Sequence, residues 1–144
     1  MNKRLAAMLM VAAMPVLAQT SGVVETLVLP LSNDLNLYEM ARVVTDKGRP
    51  AECLAPLAVT RIDGESRVVP AQGFLIEPGA HSLNGRATLD MAYCPLNDPN
   101  LYIGSAADLE VVFAAGSTYY IGYNHQPVNT AEWKLVVWQV EPTP

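Results

Sequence analysis

Cysteine, histidine, phenylalanine and tryptophan each occur only twice in this 144-residue chain, and basic residues are outnumbered nine to fourteen by acidic ones. The shortage of Lys and Arg argues against nucleic acid and anionic membrane surfaces, since both are held by basic patches. The two cysteines, Cys53 and Cys94, form no CxxC pair, and neither has a histidine close in sequence, which disfavours a redox or metal pair. No GxSxG, no HExxH and no glycine-rich phosphate loop is present, so the common nucleophile, zinc and nucleotide signatures are missing. No stretch makes a long amphipathic helix, no period repeats, and no linker divides the chain.

What the chain does have begins at its N-terminus. Lys3 and Arg4 precede an uncharged, mainly apolar run at residues 5–17, and Val16-Leu17-Ala18 follows with the modest side chains a signal peptidase reads. Spanning a bilayer takes about 20 apolar residues, and Gln19, Thr20 and Ser21 end this run sooner. A lipoprotein would need a cysteine directly after the cut, whereas the first is Cys53. The expectation is a cleaved signal peptide at 1–18 and a single domain at 19–144, periplasmic or secreted, without stable membrane insertion. Loss of Lys3 and Arg4 moves the net charge from −5 to −7. An acidic balance keeps an exported domain soluble and permits a cationic partner.

An even cysteine count in an exported chain reads as a disulfide, here Cys53 to Cys94. Closing a loop of about 40 residues stabilises a fold by roughly 4 kcal/mol in the chain-entropy model.

Glycine and proline cut the rest into short runs rich in Val, Leu, Ile, Thr and Tyr. Residues 23–29, 57–62, 66–69, 73–76, 81–83 and 87–93 have this character, while 35–44 fits no period well. Asp63-Gly64 between two such runs is a hairpin signal, because both turn positions favour positive φ. Asn84-Gly85 reads as a second hairpin, and Ala115-Gly116-Ser117, between 109–114 and 118–123, as a third. The last run, 133–140, is apolar on both faces, as a buried central strand would be. A turn or two of helix fits near 105–108. The fold class predicted is all-β: a small antiparallel β-sandwich or barrel-like domain.

Two stretches carry a resemblance. Val59-Thr60-Arg61-Ile62-Asp63-Gly64 leads through Gly73-Phe74-Leu75-Ile76 to Glu77-Pro78-Gly79-Ala80-His81-Ser82-Leu83. Val112-Phe113-Ala114-Ala115-Gly116-Ser117-Thr118-Tyr119-Tyr120-Ile121 follows later. This order resembles the small PEGA-like β domains of bacterial envelope proteins, over about half of residues 19–144. The resemblance implies a β fold and an envelope location, and no activity. The chain departs from it in the Cys53/Cys94 pair and in a longer segment at 92–108.

Few residues are candidates for chemistry. His81 follows a Pro-Gly turn, where a ring nitrogen bonded to backbone would fix a β corner. His125 lies in the polar Tyr123-Asn124-His125-Gln126-Pro127 stretch and is expected to be exposed. Asn97, Asp98, Asn100 and Asp108 offer oxygen ligands, but their spacing fits no EF-hand, and a solvated turn is the simpler reading. Tyr119, Tyr120, Tyr123, Trp133 and Trp138 would bind sugar rings or a partner if exposed in a row. Alternation puts Tyr119, Ile121 and Tyr123 on one face and Tyr120 with Gly122 on the other, so core packing is expected for part of the set. No catalytic residue, metal ligand or cofactor is assigned.

The sequence therefore points to a non-enzymatic binding or structural module of the bacterial envelope, with a protein or an envelope component as its partner. The alternative is a secreted or periplasmic inhibitor of a cationic hydrolase such as a lysozyme, steered by negative charge. An enzyme built on His81 and a carboxylate ranks last. The first step is directly measurable: mass spectrometry of the exported protein is expected to show residue 19 as the N-terminus, and a membrane fraction retaining 5–17 would refute the cleavage.

Overall fold

The computed structural model describes residues 25–31, 38–87, 94, 107–125 and 133–144. The expected signal peptide, Asn97, Asp98, Asn100 and nearly all of 92–108 lie outside these residues. Among the described residues there are ten strands: β1 (Val28–Pro30), β2 (Ala41–Val44), β3 (Leu54–Ala55), β4 (Leu57–Ile62), β5 (Glu65–Ser66), β6 (Gly73–Ile76), β7 (Gly79–Ala87), β8 (Leu109–Phe113), β9 (Ser117–Asn124) and β10 (Lys134–Pro142). A 3-10 turn at Pro50–Glu52 precedes β3. The all-β expectation holds.

The larger sheet runs β1-β6-β2-β9-β10, and β3 also pairs with β9. The smaller runs β5-β4-β7-β8. All pairings are antiparallel except β2 with β9, which is parallel. The core lies between the sheets. Ala41, Val43, Ala55, Phe74, Ile76, Tyr119, Ile121, Tyr123 and Leu135 from the larger sheet meet Leu57, Val59, Ile62, Leu83 and Phe113 from the smaller. Phe113 and Tyr119 join the layers edge to face, with ring centroids 4.8 Å apart.

Strand β4 shows how the sequence reaches this core. Leu57 and Val59 point inward with Ala58 and Thr60 outward, the period of a half-buried strand. Strict alternation would then bury Arg61. A bulge between Val59 and Arg61 shifts the register against β7, so that Ile62 is buried and Arg61 stays exposed. Asp63 and Gly64 then turn the chain at φ 53° and 82°, and β5 returns with Ile62 opposite Glu65. The first predicted hairpin is present, although the returning strand is shorter than 66–69.

The other two hairpins are not. Asn84-Gly85 is no turn: β7 runs straight through it, with Leu83 to Ala87 paired to β4. Gly85 is there for closeness, since a Cβ at this position would lie 2.3 Å from the Ala58 carbonyl oxygen. The third pair also separates. β8 pairs with β7 in the smaller sheet, whereas β9 lies in the larger between β2, β3 and β10. Residues 114–116 cross from one sheet to the other.

The run at 133–140 is not a central strand either. β10 is one edge of the larger sheet among the described residues, with a bulge between Val137 and Gln139, and most of its side chains are half-buried. Lys134, the bulge at Trp138 and Pro142 are devices that discourage another strand from adding to an edge. The strand buried on both faces is β6, where Phe74, Leu75 and Ile76 are wholly inaccessible.

Cys53 and Cys94 form a disulfide, Cα atoms 5.8 Å apart across 41 residues of sequence. Cys53 ends the 3-10 turn in the left-handed region, and its carbonyl accepts a hydrogen bond from the His125 amide. The bond therefore ties Cys94 to the base of β3 and the end of β9.

The close approach at Gly85 has a measurable consequence. Gly85→Ala is expected to lower the urea midpoint by an amount equivalent to about 1–3 kcal/mol, as for other overpacked sites. Gly64→Ala meets open space and should lose less, through its positive φ alone.

Candidate functional site

Pairing of β4 with β7 places the end of the first beside the start of the second, with Ile62 opposite Leu83. Asp63, one residue on, therefore faces Ser82 and His81. Its amide donates to the Ser82 carbonyl at 2.8 Å, and its Oδ1 accepts from the Ser82 amide at 2.9 Å. Its Oδ2 lies 2.7 Å from Nδ1 of His81 and also accepts from the Thr26 hydroxyl. His81 is buried, and its Nε2 sits 2.9 Å from the Glu77 carbonyl oxygen. Phe113 of β8 packs beside the ring, centroids 6.1 Å apart.

The corner role expected for His81 is thus occupied, with one nitrogen on backbone. Asp63, which the sequence offers only as half of a hairpin turn, is the partner of the other nitrogen. The missed signal is the pairing of β4 with β7, which brings together residues 18 apart in sequence.

A hydroxyl, a carboxylate and an imidazole in contact invite comparison with a catalytic triad. The order is wrong for one. In a triad the imidazole stands between hydroxyl and carboxylate and takes the hydroxyl proton. Here the carboxylate stands in the middle, and the far imidazole nitrogen is held by a main-chain carbonyl. The arrangement fixes a corner and puts the Asp63 carboxylate, not the imidazole, beside the Thr26 hydroxyl.

The remaining candidates separate. Tyr119 and Tyr123 belong to the core, and the Tyr119 hydroxyl accepts from the Ala114 amide at 2.7 Å. Burial pushes the Tyr123 phenol above its ordinary value. Tyr120 pairs with Trp138 on the other face, centroids 5.2 Å apart. The Arg49 guanidinium covers the Trp138 ring at 4.6 Å and donates to Gln139 Oε1 at 2.8 Å. This is a cation–π lid supplied by the chain itself. His125 is not exposed as expected: it is buried against Tyr123 and edge-on to Trp133. Its position is set by the end of β9, where its amide bonds to Cys53, so a polar neighbourhood in sequence misled. Asp108 accepts from the Asn84 side-chain amide at 2.7 Å. Among the described residues no group of three or more His, Cys, Asp or Glu is placed to hold a metal ion, and no helix is long and apolar enough to cross a membrane.

No family model, no curated protein and no solved structure matches the chain. The functional reading therefore rests on the geometry of the corner and the surface.

Asp63 also gives the corner a pH signature. Partial burial works to raise its carboxyl, but hydrogen bonds from Thr26, the Ser82 amide and His81, with the histidine's charge, outweigh burial and hold it below its ordinary value. A carboxyl lowered on folding contributes stability above its unfolded value and loses it as pH falls through the folded one. The unfolding free energy is thus expected to drop as pH falls below the ordinary aspartate value of about 4. Asp63→Asn, which keeps the left-handed turn, should make that drop shallower in urea titrations at each pH.

Proposed function

We propose that the chain is an exported, non-enzymatic binding or structural module of the bacterial cell envelope, similar in role to the PEGA-like β domains that its turn motifs resemble. The observation that carries this reading is the use made of the His81–Asp63 pair. Both imidazole nitrogens and both carboxylate oxygens have partners within the fold. A catalytic base needs a nitrogen within reach of a substrate proton, and freeing one here would open the corner. The disulfide between Cys53 and Cys94 supports an oxidising compartment, and the excess of acidic residues supports a partner other than nucleic acid.

The test uses the exported protein. Tagged wild type and His81→Ala, recovered from periplasmic extract, are expected to capture the same envelope partner at low and at high salt. Their affinities should lie within a few-fold once corrected for the folded fraction, while His81→Ala lowers stability by about 1–3 kcal/mol. Capture of a basic hydrolase that is lost at high salt would favour the inhibitor reading instead. Turnover abolished by His81→Ala in protein of unchanged stability would overturn both.

A further inference from the structure

The residues that hold His81 also hold the first strand. β1 has three residues, one of them Pro30, and among the described residues pairs only with β6, Val28 opposite Ile76 and Leu29 opposite Leu75. So short an edge strand makes few ladder bonds, yet the residues just before it are gripped from three directions. The Thr26 hydroxyl donates to Asp63, and the Thr26 carbonyl accepts from Arg67 Nη1 at 2.8 Å. Glu25 lies 3.8 Å from Arg67 Nη2. The Leu27 amide donates to Glu77 Oε1 at 3.3 Å, and its carbonyl accepts from the Glu77 amide at 3.2 Å. Asp63 and Glu77 thus hold the segment leading into β1, and His81 bridges these same two residues.

We propose that this corner is a proton-linked clasp, in which the charge on His81 sets how firmly the first strand is held to the sandwich. The argument is one of donors and acceptors. A carbonyl oxygen and an ionised carboxylate only accept. An imidazolium donates to both at once. A neutral imidazole has one N–H, so it satisfies one partner and turns a lone pair toward the other. Loss of the proton therefore loosens either Asp63, which holds Thr26, or Glu77, which holds Leu27.

The surroundings reinforce the linkage. The charged groups around the corner are Asp63 at the β4–β5 turn, Glu77 between β6 and β7, Arg67 after β5 and Glu25 before β1. β7 contributes the Ser82 amide and β8 the apolar Phe113. Arg67 faces Glu25 and the Thr26 carbonyl, whereas the imidazole faces a carboxylate and a carbonyl. The device sits in the fold itself and does not depend on which partner the protein meets.

Amide hydrogen exchange tests it. The series runs from roughly pH 5 to 8.5, the range in which imidazoles titrate, corrected for intrinsic exchange rates, with Ile121 of β9 as internal reference. Protection of the Leu29 amide, which pairs with Leu75, is expected to fall about three- to tenfold relative to Ile121 as the ring loses its proton, the scale of one lost hydrogen bond. His81→Gln should abolish the step. Asp63→Asn should lower β1 protection at the acid end of the series and shrink the step. Flat protection in wild type, or an equal step in His81→Gln, would overturn the clasp. If His81→Gln does not fold, nitrogen NMR of the wild-type ring decides: a ring that titrates without any change in β1 protection overturns the proposal equally.

Discussion

The edge-to-face contact of Phe113 with Tyr119 joins the two sheets at one of several points where the chain crosses between them, the others being Pro56, residues 67–72 and Glu77-Pro78. Phe113 ends β8 in the smaller sheet and Ser117 opens β9 in the larger. Between them, Gly116 at φ 76° donates its amide to the Met40 carbonyl and accepts from the Thr143 amide. The Tyr119 hydroxyl reaches back to the Ala114 amide, so the crossing satisfies its own backbone groups where an ordinary connection would leave them to water. The Phe113 and Tyr119 rings on either side of the turn meet in the middle of the core. On one side of that contact β2 and β10 flank β9, and on the other β4 and β5 lie beyond β7.

Local chemistry was readable wherever a turn needs one conformation. Asp63-Gly64 has positive φ at both positions because the two-residue hairpin demands it. The same reasoning failed at Asn84-Gly85, because a glycine that admits a turn also admits a close backbone neighbour, and here the neighbour is β4. Composition alone does not separate these two uses of glycine. It also failed at 114–116, where a short glycine-containing link joins different sheets. The apolar pattern at 133–140 could not reveal that Trp138 would sit in a bulge under Arg49, since both features arise from tertiary pairing.

The candidate site divides the same way. His81 was visible as a corner residue because Pro78-Gly79 precedes it. Its carboxylate partner was not, because Asp63 carries a turn signature that accounts for it locally. Only the antiparallel register of β4 and β7 gives Asp63 a second task. The Asn84–Asp108 bond and the placing of His125 likewise depend on contacts between distant segments. Polar groups here mostly secure junctions between strands.

The parallel pairing of β2 with β9 bears on when the protein can acquire its structure. Residue 42 lies beside residue 118 in the middle of the larger sheet, so this contact closes a long loop and must wait for most of the chain. A chain emerging from its N-terminus first presents β2 and β6 with no β9 to fill the next place in the sheet. The larger sheet is complete only when the last third has arrived.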